Sequence, residues 1–135
     1  MNGNRIYITH CSFRKNDSLK NTGIIVTPDN LYTSRNLQRF VRKCREKNVP
    51  WAIFSDLYGI WFPEELHQWY EKNPSRVSQD EFTRLRENFD SHLSRFDEIY
   101  FYRNPGRFHK LYRDLISESR LAGRIHLISR VYDIT

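Results

Sequence analysis

Residues 51–55 read W-A-I-F-S, a continuous apolar run of the length of one β-strand. A run without alternating polar residues is typical of a strand covered on both faces, as in the parallel sheets of α/β proteins. The polar turn sequence Asp56-Leu57-Tyr58-Gly59 follows at once. This segment therefore predicts an α/β fold in which a buried strand ends in a polar turn.

Three other strands are predicted on either side of this run, at Arg5–His10, Glu98–Tyr102 and Arg124–Ser129, each short and rich in β-branched and aromatic residues. Apolar residues recur at helical spacing in the segments between them. We expect helices from Ser34, an N-cap residue, to about Lys47, from the capping box at residues 78–81 to about Arg95, and over 108–116.

The resulting order, β-α-β-α-β-α-β, predicts a single α/β domain over residues 1–135. Its expected architecture is a three-layer sandwich, with a mainly parallel four-stranded sheet and helices on both faces. We find no internal repeat, linker or low-complexity tract that would divide the chain.

Charge favours an anionic partner. The 135 residues carry a formal net charge of +6, and the sequence pI is about 9.5. Arginine dominates over lysine, and its planar guanidinium suits bidentate recognition of phosphate. We therefore expect a nucleotide, a nucleoside or a nucleic acid as the partner; plain solubility is the alternative explanation.

Several classes of protein are disfavoured. Two cysteines are too few for a disulfide framework, and the absence of C-x-x-C and H-E-x-x-H predicts no metal site. The absence of G-x-G-x-x-G and of a Walker lysine motif argues against a standard dinucleotide or ATP-hydrolysis site, and leaves any cofactor unknown. No signal peptide or apolar run of about 20 residues is present, so we expect a cytoplasmic protein without a membrane partner.

Polar residues follow all four predicted strands. Ligands of open parallel sheets bind beyond the carboxyl ends of the strands, so we expect the functional site there. The candidate catalytic residues are His10, Cys11, Lys15 and Asp56, and the candidate ligand-binding residues are Ser12, Ser55, Tyr58, Gly59, Trp61, Arg103 and Asn104.

Each type of side chain suits one part of such a site. His10 or Asp56 would move a proton, and Cys11 would be a nucleophile only if a neighbour lowered its pKa. Lys15 and Arg103 would neutralise a phosphate or a developing oxyanion, and Tyr58 or Trp61 would stack on a base. The structural alternatives are ordinary turn residues at the strand ends and an aromatic core.

Two other functions fit the sequence. The helix after Ser34 carries Arg35, Arg39, Arg42 and Lys43 largely off its apolar stripe, as expected of a non-catalytic nucleic-acid-binding module. The aromatic segment from Trp61 to Tyr70 would instead suit a small protein-interaction domain. The leading hypothesis is an enzyme-like domain that acts on a nucleotide, nucleoside or modified base.

Short motifs in the first half of the chain occur in a recognisable order. They are His10-Cys11-Ser12-Phe13-Arg14-Lys15, Pro28-x-x-Leu31-Tyr32-x-Ser34, Trp51-x-Ile53-x-Ser55-x-x-Tyr58-Gly59 and Tyr70. This series resembles a family of small uncharacterised proteins from bacteria, archaea and phages with C-S-x-x-K, L-Y-x-S and S-x-x-Y-G motifs.

A more distant resemblance is to the catalytic domain of archaeosine synthase, which places a cysteine and, four residues later, a lysine after its first strand. Cys11 and Lys15 match that spacing, whereas Asn16-Asp17 stand where that domain has Pro-Tyr, and Asp56 where it has a small residue. The resemblance implies chemistry on a base or nucleoside.

Overall fold

The computed structural model describes residues 4–12, 14–103 and 108–135. These residues form strands β1 (Arg5–His10), β2 (Ile25–Val26), β3 (Trp51–Ser55), β4 (Gly59–Trp61), β5 (His67–Gln68), β6 (Glu98–Tyr102) and β7 (Ile125–Ile128). Their helices are α1 (Pro28–Leu31), α2 (Arg35–Lys47), α3 (Gln79–Leu93) and α4 (Lys110–Glu118). The mixed α/β class predicted from the sequence is confirmed.

The main sheet has five strands in the order β4-β3-β1-β6-β7. The four predicted strands are present and pair in parallel, β1 with β3 and β6, and β6 with β7. The prediction of four strands is wrong by one, because β4 turns back and pairs antiparallel with β3, placing Gly59 opposite Ser55. Strand β4 is three residues long, too short to show a periodic pattern in the sequence.

Capping explains where the two long helices begin. The Ser34 hydroxyl accepts a hydrogen bond from the Leu37 backbone N–H at 3.2 Å, which satisfies one free donor in the first turn of α2. At the start of α3, Ser78 and Glu81 form the predicted capping box, with both reciprocal hydrogen bonds present. Helix α2 ends at Lys47, and the C-cap residue Asn48 has a left-handed conformation (φ 53°).

Aromatic contacts connect the helices to strands β3 and β6. Consecutive strand residues point to opposite faces, and Phe101 contacts Phe108, just before α4, whereas the Tyr102 ring stacks on Phe40 of α2. Helix α3 packs beside α4, and its Phe89 contacts Phe54 of β3. The last five residues of β1 are buried.

The segment that links β1 to α2 is held by one β-bridge within itself and by one pairing with a later part of the chain. Lys15 forms an isolated antiparallel bridge with Tyr32, and β2 pairs antiparallel with β5, where Val26 lies opposite His67. The segments near residues 15–32 and 67–70 are therefore brought together beside the main sheet. Over the described ranges, no helix has the length and apolar character needed to cross a membrane.

Candidate functional site

The carboxyl ends of β1 and β3 lie side by side. His10 is in register with Phe54, and the Cys11 backbone N–H donates to the Phe54 carbonyl at 2.9 Å. The side chains around this point form the strand-end cluster, which consists of His10, Cys11, Tyr32, Ser55, Asp56, Tyr70 and Tyr112. All seven residues are buried.

Tyr70 links several members of this cluster. Its hydroxyl accepts a hydrogen bond from Ser55 Oγ at 3.1 Å and is also hydrogen-bonded to the hydroxyl of Tyr32. Ser55 Oγ in turn accepts the backbone N–H groups of Leu57 and Tyr58, at 3.1 and 3.0 Å. Burial raises the pKa of Tyr70 well above its ordinary value, so the phenol is neutral and serves as a fixed dipole.

Cys11 is a neutral thiol in this environment. Burial, followed by the nearby Asp56 carboxylate, raises the pKa of Cys11 to about 12. Its Sγ lies 3.4 Å from the Tyr112 hydroxyl. A nucleophilic cysteine needs a lowered pKa, so the structure favours Cys11 as a hydrogen-bonding group.

His10 is held in one tautomer. Its Nδ1 lies 2.9 Å from the Cys11 carbonyl oxygen, which can only accept, so Nδ1 carries the proton and Nε2 is an acceptor. Nε2 is enclosed and has no hydrogen-bond partner among the described residues. Burial lowers the pKa of His10 to about 4, and its ring stacks on Tyr112 with centroids 4.4 Å apart.

Asp56 is a carboxylate in a desolvated position. The residue is 3% exposed, and burial raises its pKa; the Cys11 thiol, the Tyr70 hydroxyl and the charge of Lys15 offset part of this effect. Its Oδ1 makes no hydrogen bond to any residue in the described ranges. The Lys15 ammonium lies 4.7 Å from the centre of the Tyr70 ring.

The strand-end cluster can therefore accept hydrogen bonds and exchange a proton. His10 Nε2 and, when ionised, Asp56 Oδ1 are both acceptors without partners, and unpaired buried acceptors are uncommon and unfavourable. Since His10, Cys11 and Tyr70 are neutral at pH 7, Asp56 is the member best suited to take up or release a proton.

The other predicted ligand-binding residues have varied surroundings. Ser12 is half-buried and accepts the Arg14 N–H at 3.1 Å, while the Tyr58 hydroxyl donates to the Gln68 carbonyl at 3.0 Å. Trp61 is fully buried, and its Nε1–H donates to the Glu65 carbonyl, so protein atoms occupy the surface it would need for stacking.

Arg103 is exposed and lies over the Phe108 ring, which in turn contacts His10. Arg103 is therefore connected to His10 of the cluster through the Phe108 ring. The last predicted ligand-binding residue, Asn104, lies outside the described residues.

The basic residues of α2 form a separate surface. Arg35, Arg39 and Arg42 are exposed, at positions that share one side of the helix, whereas Lys43 is half-buried and pairs with Glu46 at 3.4 Å. Arg39 lies close enough to Tyr102 to affect the pKa of that residue. This side of α2 thus presents three cations near the end of β6.

Three tyrosines of the cluster are absent from the sequence-based set of site residues. Tyr32 and Tyr70 belong to the motifs quoted above, and that was the available signal. Tyr112 belongs to the apolar stripe of α4 and is indistinguishable there from a core residue. Among described side chains, no group of three His, Cys, Asp or Glu residues is placed to hold a metal ion.

Comparison with protein-family models, curated protein sequences and solved structures finds no match for this chain. Function is therefore inferred from the residues of the strand-end cluster and the surfaces around it.

Replacing Tyr70 with Phe should lower the free energy of unfolding by about 2 kcal/mol, because the buried Ser55 Oγ and Tyr32 hydroxyl both lose a hydrogen-bond partner. Urea unfolding at pH 7 measures the change. Tyr132→Phe is the matched control, since Tyr132 is 73% exposed. Equal stability of the two variants would show that the network contributes nothing.

Proposed function

We propose that this domain is an enzyme that binds a nucleotide, nucleoside or modified base at the carboxyl ends of β1 and β3. The observation that carries the proposal is the pair of unpartnered buried acceptors, His10 Nε2 and Asp56 Oδ1, at the ends of neighbouring strands. Two acceptors call for a ligand that presents donors, and nucleobases do so through ring N–H and exocyclic amino groups.

Two cations near the cluster suit the charged part of such a ligand. Lys15 lies against Tyr70, and Arg103 lies over Phe108, which touches His10. In the proposed complex these two side chains neutralise phosphate or a developing oxyanion, while Asp56 moves the proton. The acceptors are enclosed, so binding requires the side chains above them to move.

A thermal-shift screen tests the proposal. The probes are guanine, adenine, guanosine, adenosine, GMP, AMP and inorganic phosphate, each added to the purified protein. A ligand at about 100 times its Kd stabilises the folded state by about 2.7 kcal/mol, a readily measured rise in Tm for a domain of this size. We expect at least one base, nucleoside or nucleotide to raise Tm, and phosphate alone to raise it less.

Two variants test whether the rise in Tm depends on Asp56. Asp56→Asn removes the charge and should weaken binding of the best probe about tenfold, since hydrogen bonds to charged groups are stronger than those to neutral ones. It should also abolish any product detected by chromatography. Glu87→Gln, an exposed carboxylate of α3, is the matched control and should leave both readouts unchanged. A screen without any response, or equal responses in both variants, would refute the proposal.

A second candidate is the non-catalytic nucleic-acid-binding module. It is favoured by the exposed stripe of Arg35, Arg39 and Arg42 on α2. In that case Arg39→Glu/Arg42→Glu would abolish oligonucleotide binding, and Asp56→Asn would have no effect on it.

A further inference from the structure

A groove lies beside the strand-end cluster. Its volume is about 830 Å³, and the residues that line it include Lys15, Lys20, Trp69, Lys72, Asn73 and Arg76. Pockets for small organic ligands span about 300–1,000 Å³. The groove therefore has room for a nucleotide together with the phosphates that flank it.

The groove is positively charged. It has four cationic side chains against two carboxylates, Asp17 and Glu71. Lys72 pairs with Glu81 of α3. Lys20 and Arg76 are exposed and form no ion pair with the described part of the chain, so their charges are available to an anion. Lys20 and Arg76 thus offer two positive charges, which suits a ligand with two separated negative charges.

Trp69 adds an aromatic surface to this charge. The residue is half-buried, and its Nε1 is enclosed, so the part it offers to the groove is the ring. The Lys20 ammonium lies 5.1 Å from the ring centre. Because Lys20 is exposed on a long flexible stem, it can leave the ring and contact a phosphate while a base stacks on Trp69.

From these contacts we propose that the groove binds the sugar–phosphate backbone of single-stranded nucleic acid, with one base stacked on Trp69. A ring for stacking beside a row of cations is the arrangement that binds single strands without reading their sequence. The site differs from the α2 surface, and it goes beyond the proposed function because it requires no chemistry at Asp56. Lys15 lines the groove and also lies against Tyr70 of the strand-end cluster, so a bound strand would lead toward the cluster.

Binding of a fluorescein-labelled single-stranded oligo-dT, followed by anisotropy over a range of salt concentrations, tests the groove. Trp69→Ala should weaken binding about tenfold, and Trp69→Phe should restore most of it, because stacking needs a flat ring. Lys20→Glu/Arg76→Glu should reduce the slope of log K against log salt by about 1.4, which is about 0.7 for each lost phosphate contact.

Arg113→Glu/Arg120→Glu is the matched control, because it makes the same change in net charge at two exposed positions outside the groove. Tm is recorded for every variant, so that unfolding is not mistaken for lost binding. A larger loss in the groove variant than in the control supports the site. Equal losses in the two variants, or equally effective competition by poly-glutamate, would overturn it.

The two proposals fail separately. If nucleosides leave Tm unchanged while oligo-dT binding depends on Trp69, the proposed function fails and the groove stands. If nucleosides raise Tm through Asp56 while the groove variants bind oligo-dT like the control, the groove proposal fails alone.

Discussion

Between pH 6.5 and pH 4, His10 should remove about 3 kcal/mol from the free energy of unfolding. Burial lowers the pKa of His10 from 6.5 to about 4, and each unit is equivalent to about 1.4 kcal/mol. In this range the unfolded chain takes up a proton at His10 and the folded protein does not, so stability falls as the pH falls. The folded protein therefore has the full stability contributed by neutral His10 above pH 6.5. It loses this stability as the pH falls from 6.5 to the folded pKa near 4.

Urea unfolding at several pH values, compared between the wild type and His10→Phe, measures this effect. Phenylalanine keeps an aromatic ring against Tyr112 but cannot titrate. All other titratable groups are the same in the two proteins, so the difference between their slopes of unfolding free energy against pH comes from His10. His126→Gln, at an exposed position on β7, should keep the wild-type slope. If His10→Phe follows the wild-type pH profile, His10 is not held neutral by burial.

Gly59→Ala should destabilise the fold by about 3 kcal/mol. Gly59 has a φ of 76°, and a Cβ at this position would collide with the side chain of Asn88. Asn88 Oδ1 accepts the backbone N–H of Ile60 at 2.8 Å, so displacing it would leave a buried donor unpaired. The lost hydrogen bond and the strained backbone each contribute about 1–2 kcal/mol.

Gly23→Ala separates these two contributions. Gly23 has a similar φ of 74° but open space around the position of its Cβ. Gly23→Ala should therefore lower the free energy of unfolding only by the contribution of the strained backbone, about 1 kcal/mol. Chemical denaturation of both variants at pH 7 gives the comparison, and equal losses would show that Asn88 adjusts to the added methyl group without consequence.

The strength of each local signal decided what could be predicted. The run at 51–55, the capping box at Ser78 and the N-cap at Ser34 are local features, and the structure confirms the elements they predict. Strand β4 was missed because three residues are too few for periodicity, and its pairing depends on the tight turn at Gly59. Strands β2 and β5 are two residues long and form only because two distant segments meet.

The candidate site shows the same division. His10, Cys11 and Asp56 could be chosen from the sequence because they directly follow or end strands of a parallel sheet. Tyr70 could not be placed from local pattern. It follows β4 and β5 in the chain, and only the folding of these segments brings the Tyr70 hydroxyl to Ser55. Trp61 was predicted to face a ligand but is fully enclosed, because burial depends on which segments pack over it.

The sequence by itself determined the α/β class, the four parallel strands, the long helices and the net positive charge. These follow from local periodicity, capping chemistry and composition, which act over a few residues. Only the tertiary structure decided which polar groups lost water. Burial makes Cys11 a neutral thiol, raises the pKa of Asp56 and leaves His10 Nε2 without a partner among the described residues. Desolvation depends on every segment packed around a group, so neighbouring residues in the chain do not reveal it.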